Sequence, residues 1–228
     1  MKIILTNDDG IDAPGLQALF SCLEGMGERI VVAPEQPQSG KGHSITIKGA
    51  IDVAEVGKNR FSVRGTPADC SRIALKAIAP DADWLIAGIN PGANLGSDVY
   101  NSGTVAAARE ATILGCRAVA ISQYIAKDQK VDWQVTGSHA GTLLRMLLDR
   151  TLANSSFWNV NLPHPLTSES KPEYQFCEPD MNPHAYAFRP EGNSYVYEGT
   201  IHGRPRDAGK DVAVCFGGKV SISRLKIP

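Results

Sequence analysis

Two adjacent carboxylates near the amino end are the side chains best suited to chemistry in this 228-residue sequence. Asp8 and Asp9 follow the apolar residues 3–5 after two intervening residues and precede Gly10. An unbroken apolar run predicts a strand covered on both faces, and parallel sheets bind ligands at the carboxyl ends of such strands. Two carboxylates about 4 Å apart repel by roughly 4 kcal/mol, which a bound divalent cation would reverse. The alternative is that residues 7–10 only form an Asx-type turn before a helix.

A second polar loop follows the next apolar run and carries hydroxyl, ammonium and imidazole groups at Ser39, Lys41 and His43. The spacing G-x-x-x-x-G-K-[ST] of a phosphate-binding P-loop is absent. A role in binding phosphate would therefore follow only from a position beside the Asp8 loop. An ordinary surface loop is the alternative interpretation.

A third polar loop, residues 88–103, leads from an apolar strand into the strongly helical segment 104–114. Its four glycines, one proline and three asparagines exclude the interior of a strand or helix. The backbone amides of Ser102, Gly103 and Thr104 are then expected to face any bound anion, because a helix amino terminus presents unpaired N–H groups. Ser102 or Thr104 could instead simply cap the helix, and the two interpretations are compatible.

The periodicity of apolar residues predicts elements that would bring these three loops together. The first unit is strand, helix, strand, with the helix starting at Pro14 and ending near Gly25 or Gly27, and its crossover should be right-handed. Thr66, Pro67 and Asp69 form a capping pattern at the start of another helix, which should run to about residue 79. The remaining predicted elements are an antiparallel hairpin within 45–63, strands at 30–32, 84–87, 117–122 and 157–163, and a helix at 133–152.

The chain changes character after residue 163, where alternating segments are punctuated by glycine, proline and asparagine. This pattern predicts a β-rich extension over 164–228, packed on the sheet or on a second subunit, behind an α/β core over 1–163. The predicted fold class is α/β, with a Rossmann-like, three-layer, mostly parallel sheet, helices on both faces and β-hairpin insertions. The side chains expected to be solvated are His184, His202, Arg204 and Arg206.

Composition limits the classes of function. The net charge of −1 disfavours long nucleic acid as a partner. The five cysteines are scattered without C-x-x-C spacing, so neither a disulfide framework nor a zinc site is indicated. No leader-like segment and no apolar run of about 18 residues occurs, so we expect a cytoplasmic protein without a membrane partner.

The three loops together resemble the SurE family, the stationary-phase survival nucleotidases. The resemblance is carried by NDDG at 7–10, APE-x-x-x-SGKGHSIT at 33–46 and GIN-x-G-x-NLG-x-DV-x-x-SGTV at 88–105. Weaker matches are GTPADC at 65–70, NVNLP at 159–163 and the late GKVSIS. The chain departs from the family pattern at Asn101, Arg109, Ala111 and Arg224.

The resemblance implies one divalent metal ion per subunit, Mg²⁺ or Mn²⁺, with Ca²⁺ conceivable in crystals. The ligands that it implies for this ion are Asp8, Asp9, Ser39 and Asn90. The residues that it implies for binding phosphate are Asn94, Ser102, Gly103 and Thr104. We expect catalysis to depend on Asp8, Asp9, Asn94 and Ser102, and substrate to be contacted in addition by Lys41 and His43.

The activity implied by the resemblance is metal-dependent hydrolysis of nucleoside 5′- and 3′-monophosphates, and of short polyphosphate in some members, by a homodimer or homotetramer. The residues alone leave two other functions open. A strand-end aspartate could be the nucleophile of a covalent aspartyl phosphatase, although that chemistry normally uses a second acid two positions later. A regulatory module that binds metal and nucleotide without turnover also fits.

Overall fold

The computed structural model describes residues 1–183, 186–199 and 201–227. Its strands, in chain order, are β1 (Lys2–Thr6), β2 (Glu28–Pro34), β3 (Val53–Gly57), β4 (Arg60–Val63), β5 (Trp84–Pro91), β6 (Arg117–Gln123), β7 (Ser156–Leu162), β8 (Tyr174–Phe176), β9 (Phe188–Glu191), β10 (Ser194–Tyr197) and β11 (Val220–Lys226). Its α-helices are α1 (Pro14–Cys22), α2 (Pro67–Ile73), α3 (Gly103–Ile113), α4 (Trp133–Leu148) and α5 (Asp211–Phe216).

Nine of the strands in the described part of the chain form one mixed sheet, in the order β3-β4-β2-β1-β5-β6-β7-β11-β8. The central neighbours β4, β2, β1, β5, β6 and β7 run parallel. β3 is antiparallel to β4, and β11 is antiparallel to β7. The predicted α/β fold with a mostly parallel sheet is confirmed.

Alternation along the buried strands creates two large cores, one on each face of the sheet. Ile3 and Leu5 of β1 belong to the core that contains the apolar residues of α1 and α4. Ile4, between them, belongs to the core that contains those of α2 and α3. Because neighbouring strand residues point to opposite faces, an unbroken apolar run is what a strand between two helical layers requires.

The tail differs from the prediction in two places. Residues 157–163 are not the last strand of the central sheet, because β11 pairs with β7 and β8 pairs with β11. Residues 211–216, predicted as alternating strand, form α5. The buried residues of α5 are Asp211, Val212, Val214 and Cys215. This spacing is that of a helix face, which six residues are too few to display clearly in sequence.

Other boundaries moved by a few residues. Residues 45–50 lie outside the strands, so β3 and β4 alone form the predicted hairpin. The helix predicted from 67 to 79 is α2 followed by a π-helical turn, Ala74–Ile78. α4 ends at Leu148 instead of residue 152. No helix in the described residues is long and apolar enough to cross a membrane.

The predicted cap of α2 is present and also fastens the second polar loop. Thr66 Oγ1 accepts a hydrogen bond from the Asp69 N–H at 3.1 Å, and the Asp69 carboxylate accepts one from the Thr66 N–H. The Thr66 hydroxyl donates in turn to the Ser44 carbonyl at 2.7 Å. A single hydroxyl thus stabilises the start of α2 and the end of the loop.

Replacing Thr66 by alanine should lower the free energy of unfolding by about 1 to 2 kcal/mol, because the capping hydroxyl is lost. Thr66→Ser keeps the hydroxyl and is the matched control. Urea denaturation of the three proteins measures the effect. Equal midpoints for Thr66→Ala and Thr66→Ser would contradict the prediction.

Candidate active site

The first polar loop is a tight turn at the carboxyl end of β1. Asn7 Nδ2 donates to the Gly10 carbonyl at 2.8 Å, and the Gly10 N–H donates to Asn7 Oδ1 at 3.3 Å. Gly10 has a φ of +107°, which side chains other than hydrogen rarely allow. The Asx-type turn considered from sequence is therefore present. It fixes Asp8 and Asp9 at the carboxyl end of β1 and is compatible with a site there.

Asp8 is a buried carboxylate and Asp9 is a half-buried one. Asp8 is 5% exposed, and its Oδ1 accepts a hydrogen bond from the Thr104 hydroxyl. Burial raises the pKa of Asp8, and the Thr104 donor opposes that shift. Burial and then the charge of Asp8 raise the pKa of Asp9 to about 7. Asp9 Oδ2 is buried and has no hydrogen-bond partner among the described residues.

The amino terminus of α3 lies directly against Asp8. A Cβ at Gly103 would come within 2.8 Å of Asp8 Cβ and 3.1 Å of Pro67 Cγ, so only glycine fits there. This close approach places the first turn of α3 beside the carboxylate pair. A helix amino terminus carries a partial positive charge that favours anions.

The sequence predicts that three backbone amides at this terminus face an anion, but one of them is already hydrogen-bonded within the protein. Ser102 is the N-cap, and its Oγ accepts from the Val105 N–H at 3.1 Å. The Ser102 N–H donates to the Asp98 carbonyl at 3.1 Å, so the prediction that this amide faces an anion is wrong. The N–H groups of Gly103 and Thr104 make no backbone hydrogen bond to a described residue. The Ser102 hydroxyl proton also remains available as a donor.

The second polar loop touches the first through its backbone. The Gln38 N–H donates to the Asp8 carbonyl at 2.7 Å. Ser39 directly follows Gln38, the residue that contacts the Asp8 turn, and Ser39 is exposed. Lys41 is also exposed, and its carbonyl accepts from the Ser44 hydroxyl at 2.7 Å.

His43 is held further along α3 than the predicted substrate role suggests. Its Nε2 lies 2.9 Å from Glu110 Oε2, and its Nδ1 lies 3.4 Å from Arg109 Nη1. Glu110 is about 10 Å along the helix from Gly103 at 1.5 Å per residue. In this arrangement His43 fastens the loop to α3, and a contact with substrate remains a prediction.

The third polar loop places its two asparagines in different surroundings. Asn90 is half-buried and donates through Nδ2 to the Gly92 carbonyl at 2.6 Å. Asn94 is 8% exposed, and its Nδ2 donates to Ser122 Oγ at 2.8 Å. One of the two N–H groups of the Asn94 amide is thus used within the protein. The other makes no hydrogen bond to a described residue.

Two asparagines of β7 support this loop and were not predicted as site residues. The Asn94 N–H donates to Asn161 Oδ1 at 2.7 Å, and the Asn94 carbonyl accepts from Asn159 Nδ2 at 2.9 Å. Asn159 and Asn161 are both fully buried. In the sequence, these asparagines alternate with the apolar residues Trp158, Val160 and Leu162. This pattern could have indicated a supporting role, because buried polar side chains need partners.

The tail also reaches the third loop. Arg204, expected to be solvated, is 4% exposed and pairs with Asp98 at 2.5 Å, so that prediction is wrong. His202 is half-buried, and its Nδ1 lies 3.0 Å from the Tyr124 hydroxyl. His184 lies outside the described residues.

The chemistry of these groups fits a hard divalent cation held by oxygen atoms. Among the described residues, no three side chains of His, Cys, Asp or Glu form a cluster that could hold a metal ion. A metal at Asp8 and Asp9 would therefore need neutral oxygen ligands as well, and oxygen ligands are the kind that Mg²⁺, Mn²⁺ and Ca²⁺ prefer. The orphaned Asp9 Oδ2 is a buried acceptor that such an ion would satisfy.

Comparisons with known proteins place this chain in a family. Residues 3–184 match the family model described as Survival protein SurE. The chain belongs to the SurE family. A relative from Synechocystis sp. is 47% identical over 228 residues, which cover 100% of both chains. The crystal structure of the SurE protein from Aquifex aeolicus matches with a TM-score of 0.89 at 27% identity, over 99% of this chain and 93% of that chain.

Relatives named 5′-nucleotidase SurE are similar over most or all of this chain. The protein from Mesorhizobium japonicum is 43% identical over 174 residues, covering 74% of this chain and 69% of its own length. The protein from Geotalea daltonii is 35% identical over 238 residues, covering 100% of this chain and 93% of its own length. Membership of the SurE family, inferred from the three loops, is confirmed.

Thr104→Val should destabilise the protein by about 1.5 to 3 kcal/mol, because the Asp8 carboxylate loses its hydroxyl donor without a change in side-chain volume. Thr104→Ser retains the donor and should stay close to the parent. Urea denaturation of the metal-free proteins at neutral pH compares them. A Thr104→Val protein as stable as Thr104→Ser would show that the Asp8 contact contributes nothing.

Proposed function

We propose that this chain is a divalent-metal-dependent phosphomonoesterase that hydrolyses nucleoside 5′-monophosphates to nucleoside and phosphate. The observation that carries the proposal is the contact between the buried Asp8 and the amino terminus of α3. A cation at the carboxylates and a phosphate at the helix terminus would then be neighbours. The 5′-nucleotidase names of the SurE relatives support the same activity.

Asp8 and Asp9 would hold the metal ion, with Ser39 and Asn90 as neutral ligands. Asn90 Oδ1 suits this role because the amide NH₂ is already turned to the Gly92 carbonyl, which leaves the oxygen for a cation. Ser39 follows the residue whose N–H binds the Asp8 carbonyl. The chemistry that such an ion supplies when bound is polarisation of a phosphoryl oxygen and acidification of water, effects worth several kcal/mol.

Four groups of the third loop and α3 would hold the phosphate. Gly103 and Thr104 would donate their backbone N–H groups to the non-bridging oxygens. Ser102 would donate its hydroxyl, because the oxygen already accepts from Val105. Asn94 would donate the N–H of its amide that Ser122 does not occupy. These fixed donors stabilise the charge that grows on the oxygens during phosphoryl transfer.

Asp9 would take a proton from the attacking water. One oxygen of its carboxylate would hold the ion, and the other would accept the proton. Lys41 would contact the substrate from the second loop, where its exposed side chain can reach outward. His43 would assist the leaving oxygen only if the loop moved it away from Glu110.

The finer features of the proposal concern substrate range, metal and cellular place. We include nucleoside 3′-monophosphates and short polyphosphate as further substrates, Mg²⁺ or Mn²⁺ as the ion, and the cytoplasm as the compartment. A screen of phosphate release over 5′- and 3′-mononucleotides, sugar phosphates and short polyphosphates, each with Mg²⁺, Mn²⁺ and Ca²⁺, measures the first two.

Hydrolysis of adenosine 5′-monophosphate should require a divalent metal, and Asp9→Asn should lower kcat/KM at least about 100-fold, because a ligand of the ion and the proton acceptor are both lost. Asp12→Asn is the matched control. It lies in the same loop, but its side chain is 90% exposed and pairs with Arg60. This variant should keep parental activity.

The same assay separates the proposal from its two alternatives. Full turnover after exhaustive chelation would contradict metal dependence. Tight binding of metal and nucleotide without phosphate release would indicate the regulatory module. Trapping of labelled phosphate on the protein during turnover would indicate a covalent aspartyl phosphatase.

We also propose that the β9–β10 hairpin makes subunit contacts in a homodimer or homotetramer. The hairpin forms its own two-stranded sheet, and isolated hairpins are only marginally stable in water. The pairing places Phe188 opposite Tyr197 and Pro190 opposite Tyr195, so these four residues share one face. Tyr195 is 74% exposed and Phe188 is 59% exposed. A second subunit would cover these rings.

Replacing Phe188 and Tyr195 together by serine should reduce the oligomeric mass, because it removes the exposed rings that would be buried between subunits. Val196→Ser changes the opposite face of the hairpin and is the matched control. Light scattering coupled to size exclusion compares the masses. An unchanged mass for the double variant would contradict the role of this face.

A further inference from the structure

A buried polar network, here called the clamp, joins Asp180, Arg204 and Asp211 of the tail to Gly96 and Asp98 of the loop that leads into α3. Gly96 begins a 3₁₀ turn, Gly96–Tyr100, and its N–H donates to Asp211 Oδ2 at 2.8 Å. Asp211 is fully buried, and its Oδ1 accepts from the Asp180 N–H at 2.7 Å. Gly96 has a φ of +54°, and a Cβ there would collide with the Asp180 carbonyl. Tail and loop are therefore in direct backbone contact.

Arg204 closes this clamp from the tail side. Its Nη1 donates to Asp98 Oδ2 at 2.5 Å, and the residue is 4% exposed. Its Nη2 packs against Gly96, within 3.0 Å of where a Cβ would lie. A buried guanidinium is costly unless it is paired. Asp98 pairs with Nη1, whereas Nη2 is buried and has no hydrogen-bond partner among the described residues.

Asp98 connects Arg204 to the proposed phosphate site through its backbone carbonyl. The Asp98 carbonyl accepts from the N–H of Asn101 at 3.0 Å and from that of Ser102 at 3.1 Å. Ser102 is the N-cap of α3 and is followed by the two amides proposed to hold phosphate. Arg204 thus acts on residue 98, whose backbone sets the geometry of residue 102.

We propose that Arg204 is a positioning residue, which orders the loop from Asn94 to Val105 through Asp98 and so aligns the amides at the start of α3. Neither Arg204 nor Asp211 lies within residues 3–184, the part matched by the family model. The ordering of the loop is independent of the proposed function, whereas its effect on catalysis rests on that function.

Hydrogen exchange on the full-length, metal-free protein tests the ordering directly. Arg204→Met keeps much of the side-chain volume and removes the guanidinium. Exchange in residues 94–105 should become about tenfold faster, while exchange in β1 and β6 stays within about twofold of the parent. Arg204→Lys keeps the charge without the planar fork and should give an intermediate rate.

Arg189→Met is the matched control for the tail. Arg189 also pairs with a carboxylate, Glu198, at 2.6 Å, but its side chain is 53% exposed and lies in the β9–β10 hairpin. This variant should leave exchange in residues 94–105 at the parental rate. A response equal to that of Arg204→Met would show that any tail arginine has the effect and would overturn the proposal.

Steady-state kinetics then test the catalytic consequence. With adenosine 5′-monophosphate, Arg204→Met should lower kcat/KM about tenfold, and the metal concentration for half activity should stay within about twofold of the parent. The metal response is spared because the four proposed ligands, Asp8, Asp9, Ser39 and Asn90, all lie outside residues 94–105. Arg204→Lys should recover part of the activity. A loss of activity that excess metal restores would contradict the assignment to the phosphate site.

The other possible outcomes of these experiments also decide whether Arg204 is a positioning residue. A folded Arg204→Met protein with parental exchange in residues 94–105 overturns the proposal, whatever its activity. Equal acceleration in all segments overturns it too, because the residue would then stabilise the whole fold. If Arg204→Met does not fold, Arg204→Lys decides by the same exchange criterion. A parent protein without phosphatase activity would refute the proposed function, and the exchange result would still stand by itself.

Discussion

The structure depends on the burial of two negative charges at the carboxyl end of β1. Asp8 is nearly inaccessible to solvent, and Asp9 has a buried oxygen without a partner among the described residues. Burial of neighbouring carboxylates is unfavourable unless hydrogen bonds, a helix terminus or a cation compensate it. The Thr104 hydroxyl and the start of α3 supply part of this compensation. The proposed metal ion would supply the rest.

The fold can be understood as the support for that local arrangement. Two helical layers bury β1 on both faces, which leaves its carboxyl end as the place where polar residues emerge. Gly103 allows α3 to reach Asp8, and the buried asparagines of β7 hold the loop that carries Asn94. The tail contributes two strands, β8 and β11, to the sheet and, through Arg204, a contact to the same loop. Distant parts of the chain therefore meet at the carboxyl ends of the parallel strands.

Sequence predicts those features that nearby residues determine. The apolar run of β1, the cap at Thr66 and the glycine-rich entry to α3 all act within a few residues, and each is present. The burial of Arg204 depends on Asp98, which is 106 positions away, so no local pattern could indicate it. The Ser102 amide was assigned to a ligand because the 3₁₀ turn that occupies it cannot be seen from composition. α5 was missed because its six residues show period two as readily as period 3.6.

The central claim is that a metal ion and a phosphate bind side by side, the ion at Asp8 and Asp9 and the phosphate at the start of α3. The most direct measurement is a crystal structure with Mn²⁺ and inorganic phosphate, in which anomalous scattering locates the ion. The account predicts Mn²⁺ bound to both carboxylates, and a phosphate that contacts it and accepts from the amides of Gly103 and Thr104. Mn²⁺ bound elsewhere, or a phosphate remote from α3, would contradict it.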